Sequence, residues 1–323
     1  MFTSIKSTIL RIFDKFKSKK INRILRLLLQ DQLLTLVDIG AADVIQPRWL
    51  NICGLINYIG FEPDKRSYDE LLNTKNACHS YKIFNYALWS ESTDLKINLL
   101  KKPLVSSHFE PNTKIIENFP NKERFDLVSV KRFSAVKLDD LKIENPDFIK
   151  IDVQGGELEI IKGANYSLNN CIGLEVEVEF THIYKNQPLF GNICEYLNNC
   201  GFIFIDFTSL VRWERNKLDG YGQLIFGDAL FLKPPEYHLD TSNVNLEFLK
   251  KYISICFLYK RFDLILSTLE YCKDIQIYKE YINQIEKIII KNSNTDLRIR
   301  AIYKILVSPF RFFSKYFQSY LMY

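Results

Sequence analysis

Three acidic side chains stand at the ends of short apolar runs, where a bound ligand could meet them. Asp38 closes "LTLVD", Glu62 follows "YIGF" and Asp152 follows "FIKI". Runs of this kind are typical of buried strands, and ligands of an open α/β sheet bind outside the carboxyl ends of its strands. The sequence therefore predicts that the three carboxylates share one ligand-binding edge.

The first two carboxylates belong to a pattern that suits a nucleoside. Asp38 opens the small-residue stretch "DIGAA", which lets the backbone approach a ligand closely at a helix N-terminus. Glu62 follows Gly40 by 22 residues, where an acidic side chain accepts hydrogen bonds from a ribose diol. The pair favours an adenosine-containing ligand. A tight strand-to-helix turn and a solvated carboxylate are the structural alternatives.

The third carboxylate lies in "FIKIDVQGGELEIIKGA", residues 148–164. Strand alternation puts Lys150 and Asp152 on one face, and the two glycines turn the chain at little steric cost. Glu157 then falls in the first turn of the next helix. We expect Asp152 to face the reacting ligand and Glu157 to orient it. The alternatives are a structural hydrogen bond for Asp152 and a plain helix N-terminal charge for Glu157.

Seven apolar runs alternate with segments of helical spacing, which predicts an α/β fold with a doubly wound, mostly parallel seven-strand sheet. The last two runs leave no room for a full helix between them, so we expect an antiparallel final hairpin. Residues 91–146 are predicted to add strands around a polar loop, as a lid or substrate wall. The seven runs are 33–41, 56–64, 81–90, 147–156, 171–180, 201–207 and 223–232.

The segments that flank the sheet region are basic and helical in spacing. Residues 1–30 carry a net charge of +7 and residues 296–323 a net +4, which leaves −6 on the rest of a chain of net +5. The N-terminal segment is predicted to be an amphipathic helix, either docked on the domain or lying in a membrane interface. The predicted division is this helix, a domain over 31–235, and a helical extension over 236–323 with a basic aromatic tail.

Composition narrows the function classes. A chain of 323 residues with 47% hydrophobic content can build a real core, and its acidic body argues against a nucleic-acid partner. The apolar runs are too short for a transmembrane helix. The seven scattered cysteines lack metal-ligand spacing, so we expect reduced thiols, no metal site and a cytoplasmic protein. Contact with the inner face of a membrane through the basic ends, and a homo-oligomer, are further expectations.

Six blocks of the sequence resemble FkbM-type methyltransferases, which depend on S-adenosylmethionine and have the class I methyltransferase fold. The resemblance covers about residues 33–233. It implies O-methylation of sugars, polyketides or other secondary metabolites, and many members accompany surface-glycan genes. The blocks, in family order, are "VDIGAAD", "IGFEPD", "SSHFEPN", "FIKIDVQGGELEIIKGA", "EVEFTHIYKNQPLF" and "GDALFLK".

The resemblance also implies roles for individual residues. Gly40 and Ala41 would lie beneath the methionine part of the cofactor, with Asp38 beside them and Glu62 on the ribose. Asp152 and Glu157 would border the methyl-transfer region, with Asp152 contacting the cofactor as well. The residues implied as substrate-binding are Ser106, Ser107, Glu177, Tyr184 and Asp228.

A sugar hydroxyl is a poor nucleophile, so we expect a general base near the carboxyl ends of the fourth and fifth strands. Asp152 has the best position, His182 offers an imidazole, and Glu177 and Glu179 lie nearby. The predicted function is O-methylation of a hydroxyl on a sugar, glycan or glycolipid precursor. The alternative is a catalytically weak methyltransferase-fold scaffold that acts through its helical extension, because Val44 stands where the family usually has glycine.

Overall fold

The structure is a computed structural model. Residues 1–265 and 266–323 form two compact units, and the predicted domain boundaries at residues 30 and 235 stay predictions. The expectations for residues 1–19, Val44 and the basic tail lie outside the described residues. The described residues are 20–42, 45–74, 77–143, 145–215, 221–235, 246–272 and 278–285.

In the described part of the chain, ten strands form two sheets. They are β1 Leu34–Ile39, β2 Ile56–Phe61, β3 Ser80–Phe84, β4 Ala87–Leu88, β5 Thr93–Leu100, β6 Leu127–Val136, β7 Phe148–Ile151, β8 Gly173–Glu179, β9 Ile203–Trp213 and β10 Gln223–Leu232. The main sheet has seven strands in the order β3-β2-β1-β7-β8-β10-β9. Its first five strands are parallel, and β10 runs antiparallel to β8 and β9. The predicted mostly parallel sheet with an antiparallel final hairpin is confirmed.

Helices precede, connect and follow these strands along the chain. Residues 20–29 are helical and form α1, whose Leu25, Leu28 and Leu29 are buried. No helix among the described residues is long and apolar enough to cross a membrane. The other helices are α2 Pro47–Leu50, α3 Lys65–Asn73, α4 Thr113–Ile116, α5 Glu157–Lys162, α6 Asn165–Asn170, α7 Phe190–Asn199, α8 Leu246–Leu258 and α9 Phe262–Cys272. Residues 279–285 are also helical, and short 3-10 turns cover Cys53–Leu55, Pro103–Val105, Lys122–Phe125 and Leu138–Leu141.

The two faces of the central strands differ in chemistry. Every residue of β1 and β8 is buried, as expected for parallel strands covered on both sides. On one face Ile39, Ile151 and Val176 pack into a continuous apolar core with Ile160 and Ile161 of α5. The opposite face of the same strands carries charged side chains. Because side chains alternate along a strand, this pattern collects the charges into one layer.

The insertion builds the second sheet, with strands in the order β4-β6-β5. The segment "YKIFNYALWS", predicted as one strand, is divided between the two sheets as β3 and β4. Asn85 stands at the division, and its amide donates to the carbonyl oxygens of Glu62 at 2.8 Å and Pro63 at 3.0 Å. These hydrogen bonds hold the turn that sends the chain out of the main sheet.

The prediction that all cysteines are reduced is wrong for one pair. Cys53 and Cys78 form a disulfide, with their Cα atoms 4.1 Å apart. Cys53 lies before β2 and Cys78 before β3, and the parallel pairing of these strands brings the two segments side by side. The other five cysteines are free thiols.

Part of the C-terminal extension belongs to the sheet's own packing. Tyr259, which follows α8, stacks on Phe148 of β7 with ring centroids 5.1 Å apart. Its hydroxyl accepts a hydrogen bond from Trp49 Nε1 at 3.3 Å, and the Arg48 guanidinium lies 4.4 Å from the ring centroid. Tyr259 is therefore packed between α2 and the charged face of the main sheet.

We expect Tyr259→Ala to lower the free energy of unfolding by about 3–5 kcal/mol, because a large buried ring is removed. Tyr259→Phe keeps the ring and should cost about 1 kcal/mol for the lost hydrogen bond. Denaturant unfolding followed by circular dichroism measures both. Equal stability of the alanine variant and the wild type would contradict the packing described.

Candidate active site

The ends of β1 and β7 approach each other so closely that only glycine fits between them. Gly40 has φ +81°, and a Cβ on it would lie 1.9 Å from the carbonyl oxygen of Asp152. Asp152 N donates to Ile39 O at 3.0 Å, while the N–H groups of Gly40 and Ala41 donate to Phe61 O at 3.1 and 3.0 Å. The small-residue loop is thus fixed against both neighbouring strand ends.

A buried ion-pair group lies on the charged face below this loop. The Lys150 ammonium is 3.5 Å from Asp38 Oδ1 and 3.7 Å from Asp152 Oδ2. Tyr58 donates its hydroxyl to Asp38 Oδ2 at 2.8 Å. Burial raises the pKa of Asp38, and the Lys150 charge opposes that rise. Asp38, expected beside the cofactor, is 4% exposed. Its Oδ1 makes no hydrogen bond and faces the Lys150 charge instead.

Glu62 lies at the end of β2, as the sequence predicts. Its Oε1 accepts the N–H of Asp64 at 2.7 Å, and the residue is 5% exposed. Burial is the main reason that the pKa of Glu62 is raised to about 7. A carboxylate whose ionised form is poorly solvated gains from a ligand that donates hydrogen bonds to it.

Gln154 connects the ends of β7 and β8 and was missed by the sequence analysis. Its Nε2 donates to Asp152 Oδ1 at 3.1 Å and to Glu177 Oε2 at 2.6 Å. The Tyr184 hydroxyl oxygen lies 3.2 Å from Gln154 Oε1. The backbone of Gln154 is left-handed, with φ 61°. One amide therefore orients two predicted site carboxylates.

Glu177 and two further glutamates, Glu157 and Glu179, are buried in this region. Oε1 of Glu157 accepts hydrogen bonds from the N–H groups of Val153 at 2.9 Å and Gly155 at 3.1 Å. The Glu157 side chain therefore stabilises the loop after β7. Burial raises the pKa of Glu157 to about 7. Burial and the charge of Asp152 raise the pKa of Glu177 well above its usual range. Burial and the charge of Glu157 do the same for Glu179.

The insertion is joined to these loops, as expected for a wall of the site. Ser107 donates its hydroxyl to Gln154 O at 2.6 Å, and Tyr184 donates to Val105 O at 2.7 Å. Ser106 lies on the far side of this segment, where its Oγ accepts the N–H of Leu100 at 3.0 Å. Ser107 and Tyr184 thus connect the insertion to the site, whereas Ser106 stabilises the turn itself.

Two predicted residues lie further out. His182 is exposed on the loop after β8, and its carbonyl oxygen accepts the Asn112 amide at 2.8 Å. Asp228 lies on β10, opposite Glu177. Within the described residues, no group of three or more Asp, Glu, His or Cys side chains is arranged to hold a metal ion.

The sequence marked Lys150 and Glu179 but gave no indication of Gln154. Side chains alternate between the two faces of a strand, so the sequence already placed Lys150 on the same face as Asp152. Glu179 follows Glu177 on the same face of β8. Gln154 carried no signal beyond its place before a glycine pair, because its left-handed backbone appears only once the loop is built.

One protein-family model matches the part of the chain that carries this site. The model of the methyltransferase FkbM domain matches residues 38–204. No curated protein sequence shows a significant match to the chain.

Solved structures of several methyltransferases are similar to the chain at low identity. Methyltransferase FkbM from Methylobacillus flagellatus KT has 14% identity and a TM-score of 0.39, and the match covers 62% of this chain and 43% of that one. Precorrin-6y C5,15-methyltransferase from Geobacter metallireducens GS-15 has 12% identity and a TM-score of 0.32, over 66% of this chain and 88% of that one. An rRNA methylase from Streptococcus thermophilus has 11% identity and a TM-score of 0.30, over 65% and 94%. The chain thus spans less than half the length of the first of these proteins.

The buried carboxyls predict a pH dependence of stability. The pKa of Glu179 is higher in the folded protein than in the unfolded chain, so unfolding releases its proton once the pH exceeds the ordinary value. The free energy of unfolding should fall as the pH rises from 5 to 8. For Glu179→Gln, the free energy of unfolding should decrease by roughly 1–3 kcal/mol less over the same pH range. Urea unfolding measures this difference. Glu195→Gln on exposed α7 is the control, and an identical slope in all three proteins would refute the assignment.

Proposed function

The chain belongs to the FkbM methyltransferase family, whose model matches more than half of it, and from this premise we propose that it methylates a hydroxyl group of a sugar, glycan or glycolipid precursor with S-adenosylmethionine as donor. The observation that supports this reaction most directly is the pairing of a fixed glycine loop with a partly exposed carboxylate. Gly40 contacts the backbone of Asp152, and the Asp152 side chain is 30% exposed.

The residues present fit the proposed cofactor. A side chain at Gly40 would collide with Asp152 O, so the glycine lets the loop after β1 lie directly against the residue that would border the methyl group. Glu62 has a buried carboxylate that gains from the two hydroxyl donors of a ribose. Gly40, Ala41 and Glu62 would therefore hold S-adenosylmethionine, with Asp152 at the methyl end.

The bound cofactor would supply an electrophilic methyl group on a sulfonium. Asp152 would orient the acceptor hydroxyl and take its proton as the new bond forms. Gln154 Nε2 fixes one oxygen of Asp152 and Lys150 lies near the other, so the carboxylate is held in one orientation. Burial and the charge of Asp152 raise the pKa of Glu177 well above its usual range. This shift favours the protonated carboxyl, which can donate a hydrogen bond to the acceptor.

Asp152 is the better candidate for the base than His182. Its backbone touches the cofactor loop, whereas His182 is exposed on the loop after β8 and is held there through its carbonyl oxygen. A saccharide acceptor is supported by the carboxyl, amide and hydroxyl groups of Asp152, Gln154, Glu177 and Tyr184, since such groups bind alcohols by hydrogen bonds.

Calorimetry should detect one site for S-adenosylmethionine and one for its demethylated product. Because the pKa of Glu62 is about 7 and the ribose needs the ionised form, affinity should fall about tenfold from pH 8 to pH 6. Glu62→Gln should bind more weakly at pH 8 and lose most of this pH dependence. Exposed Glu70→Gln should behave as the wild type. A folded protein that binds neither compound would reject the enzyme proposal and favour the scaffold alternative.

Asp152→Asn should lower kcat for methyl transfer by about 10²–10⁴, because the base is lost while the shape is kept. Its affinity for S-adenosylmethionine should change little, since Lys150 keeps Asp38 as a partner. Transfer of a tritiated methyl group to saccharides from the source organism measures the rate. Asp94→Asn, on exposed β5, is the control. Wild-type kcat in the Asp152 variant would remove Asp152 from the chemistry.

A further inference from the structure

Three aromatic rings join the insertion to the far end of β9. The ring centroid of Trp213, the last residue of β9, lies 5.4 Å from that of Phe119 and 6.1 Å from that of Phe125. Phe125 is in turn 6.0 Å from Tyr184, whose hydroxyl oxygen lies 3.2 Å from Gln154 Oε1 in the candidate active site. We call Phe119, Phe125 and Trp213 the aromatic corner, and it continues the wall that the insertion builds.

The Arg124 guanidinium is held on the aromatic corner by its faces. Its Cζ lies 4.2 Å from the ring centroid of Trp213 and 5.1 Å from that of Phe125, and the residue is partly buried. Cation–π contacts of this kind stabilise the charge and fix the plane of the guanidinium. They do not use the N–H donors, which lie along the edge of that plane.

The N–H donors of Arg124 lack the acceptor that such a group normally finds. Its Nε is buried and has no hydrogen-bond partner. No carboxylate of the described residues pairs with this guanidinium, whereas Arg48 and Arg261 pair with Glu175 at 3.3 Å and with Asp206 at 3.1 Å. A partly buried cation without a counterion is costly. Arg124 therefore gains from an anionic ligand.

The surroundings of Arg124 do not supply that negative charge. Burial lowers the pKa of Arg124, and the neighbouring Tyr184 and Glu123 oppose this shift without reversing it. Glu123 is exposed, and within the described residues neither it nor Glu214, which follows Trp213, pairs with a cation of this region. The charge on the corner is thus left for a ligand to neutralise.

Two further cations lie beside Arg124. The Arg215 Cζ is 5.4 Å from the ring centroid of Phe119, and the backbone N–H of Lys102 donates to Arg124 O at 3.0 Å. Both side chains are exposed, and neither forms an ion pair with a described residue. Arg215 keeps one neutral partner, because its Nη2 donates to Gln223 Oε1 at 3.3 Å.

This number of cations indicates the type of anion. A phosphate monoester carries a charge of about −1.5 to −2 near neutral pH and has three strong acceptor oxygens. A carboxylate carries a single charge. The planar edge of a guanidinium contacts two oxygens of either group at once, but only the phosphate group offers enough charge for three cations.

We propose that Arg124 is the centre of a phosphate-binding site at the aromatic corner, with its N–H edge on two phosphate oxygens and with Arg215 and Lys102 adding positive charge. The assignment does not depend on methyl transfer. The phosphate group reaches this site either as inorganic phosphate or as part of an organic ester, whose carbon portion would extend along Tyr184.

Calorimetry with inorganic phosphate and with glycerol 1-phosphate, at constant ionic strength, tests the site and separates the two sources. The wild type should bind both probes, and acetate about tenfold more weakly. Arg124→Gln should raise the Kd of both phosphates about tenfold or more, and Arg124→Lys should raise it less, because the charge stays and the two-pronged contact is lost. Arg132→Gln, on exposed β6, is the matched control and should bind as the wild type. Tighter binding of the ester identifies an organic source, and equal binding identifies free phosphate.

A measurement on the wild type alone covers the case in which the Arg124 variants do not fold. Phenylglyoxal modifies guanidinium groups, and mass spectrometry of the digested protein reports each arginine. Inorganic phosphate should slow the modification of Arg124 but not that of Arg132. Absence of binding by both phosphates, wild-type affinity in folded Arg124→Gln, or equal modification of Arg124 with and without phosphate would overturn the assignment.

Discussion

The Lys150 ammonium lies between two carboxylates from neighbouring strands, and the polar face of the sheet depends on it. Asp38 Oδ1 is 3.5 Å away and Asp152 Oδ2 is 3.7 Å away. Burial disfavours the ammonium, but the charges of Asp38 and Asp152 outweigh it and hold the pKa of Lys150 above its usual value. Removing Lys150 would leave Asp38 as a buried charge without its cation. The ion pairs therefore fix which way Asp152 faces before any ligand arrives.

The backbone of Asp152 is also held in place. Gly40 admits the carbonyl oxygen of Asp152 where a Cβ could not fit, so the loop after β1 and the loop after β7 are held as one unit. Gln154 then joins Asp152 to Glu177, and Ser107 and Tyr184 join the insertion to Gln154. Lys150 and Gln154 hold the Asp152 side chain directly, and the insertion stabilises Gln154 in turn. A positioned base requires such an arrangement.

Local sequence was sufficient for the features that one strand determines. Apolar runs and their spacing predicted a mostly parallel seven-strand sheet. Glu62 and Asp152 were found because each follows a buried run. Features that depend on pairing were not predictable in this way. The partners of Lys150 come from β1 and from the residue after its own strand, and the disulfide depends on two segments that become neighbours only when β2 and β3 pair. The division of "YKIFNYALWS" likewise depends on the hydrogen bonds that Asn85 makes to the end of β2.

In the proposed complex, one cofactor lies across the ends of β1, β2 and β7 with its reacting end at Asp152. A crystal structure of the protein with S-adenosylhomocysteine would locate the ligand. We expect density over the Gly40 loop, with the ribose hydroxyls within hydrogen-bond distance of Glu62 and the sulfur facing the Asp152 carboxylate. A ligand bound elsewhere, or a ribose that makes no contact with Glu62, would refute this position of the cofactor.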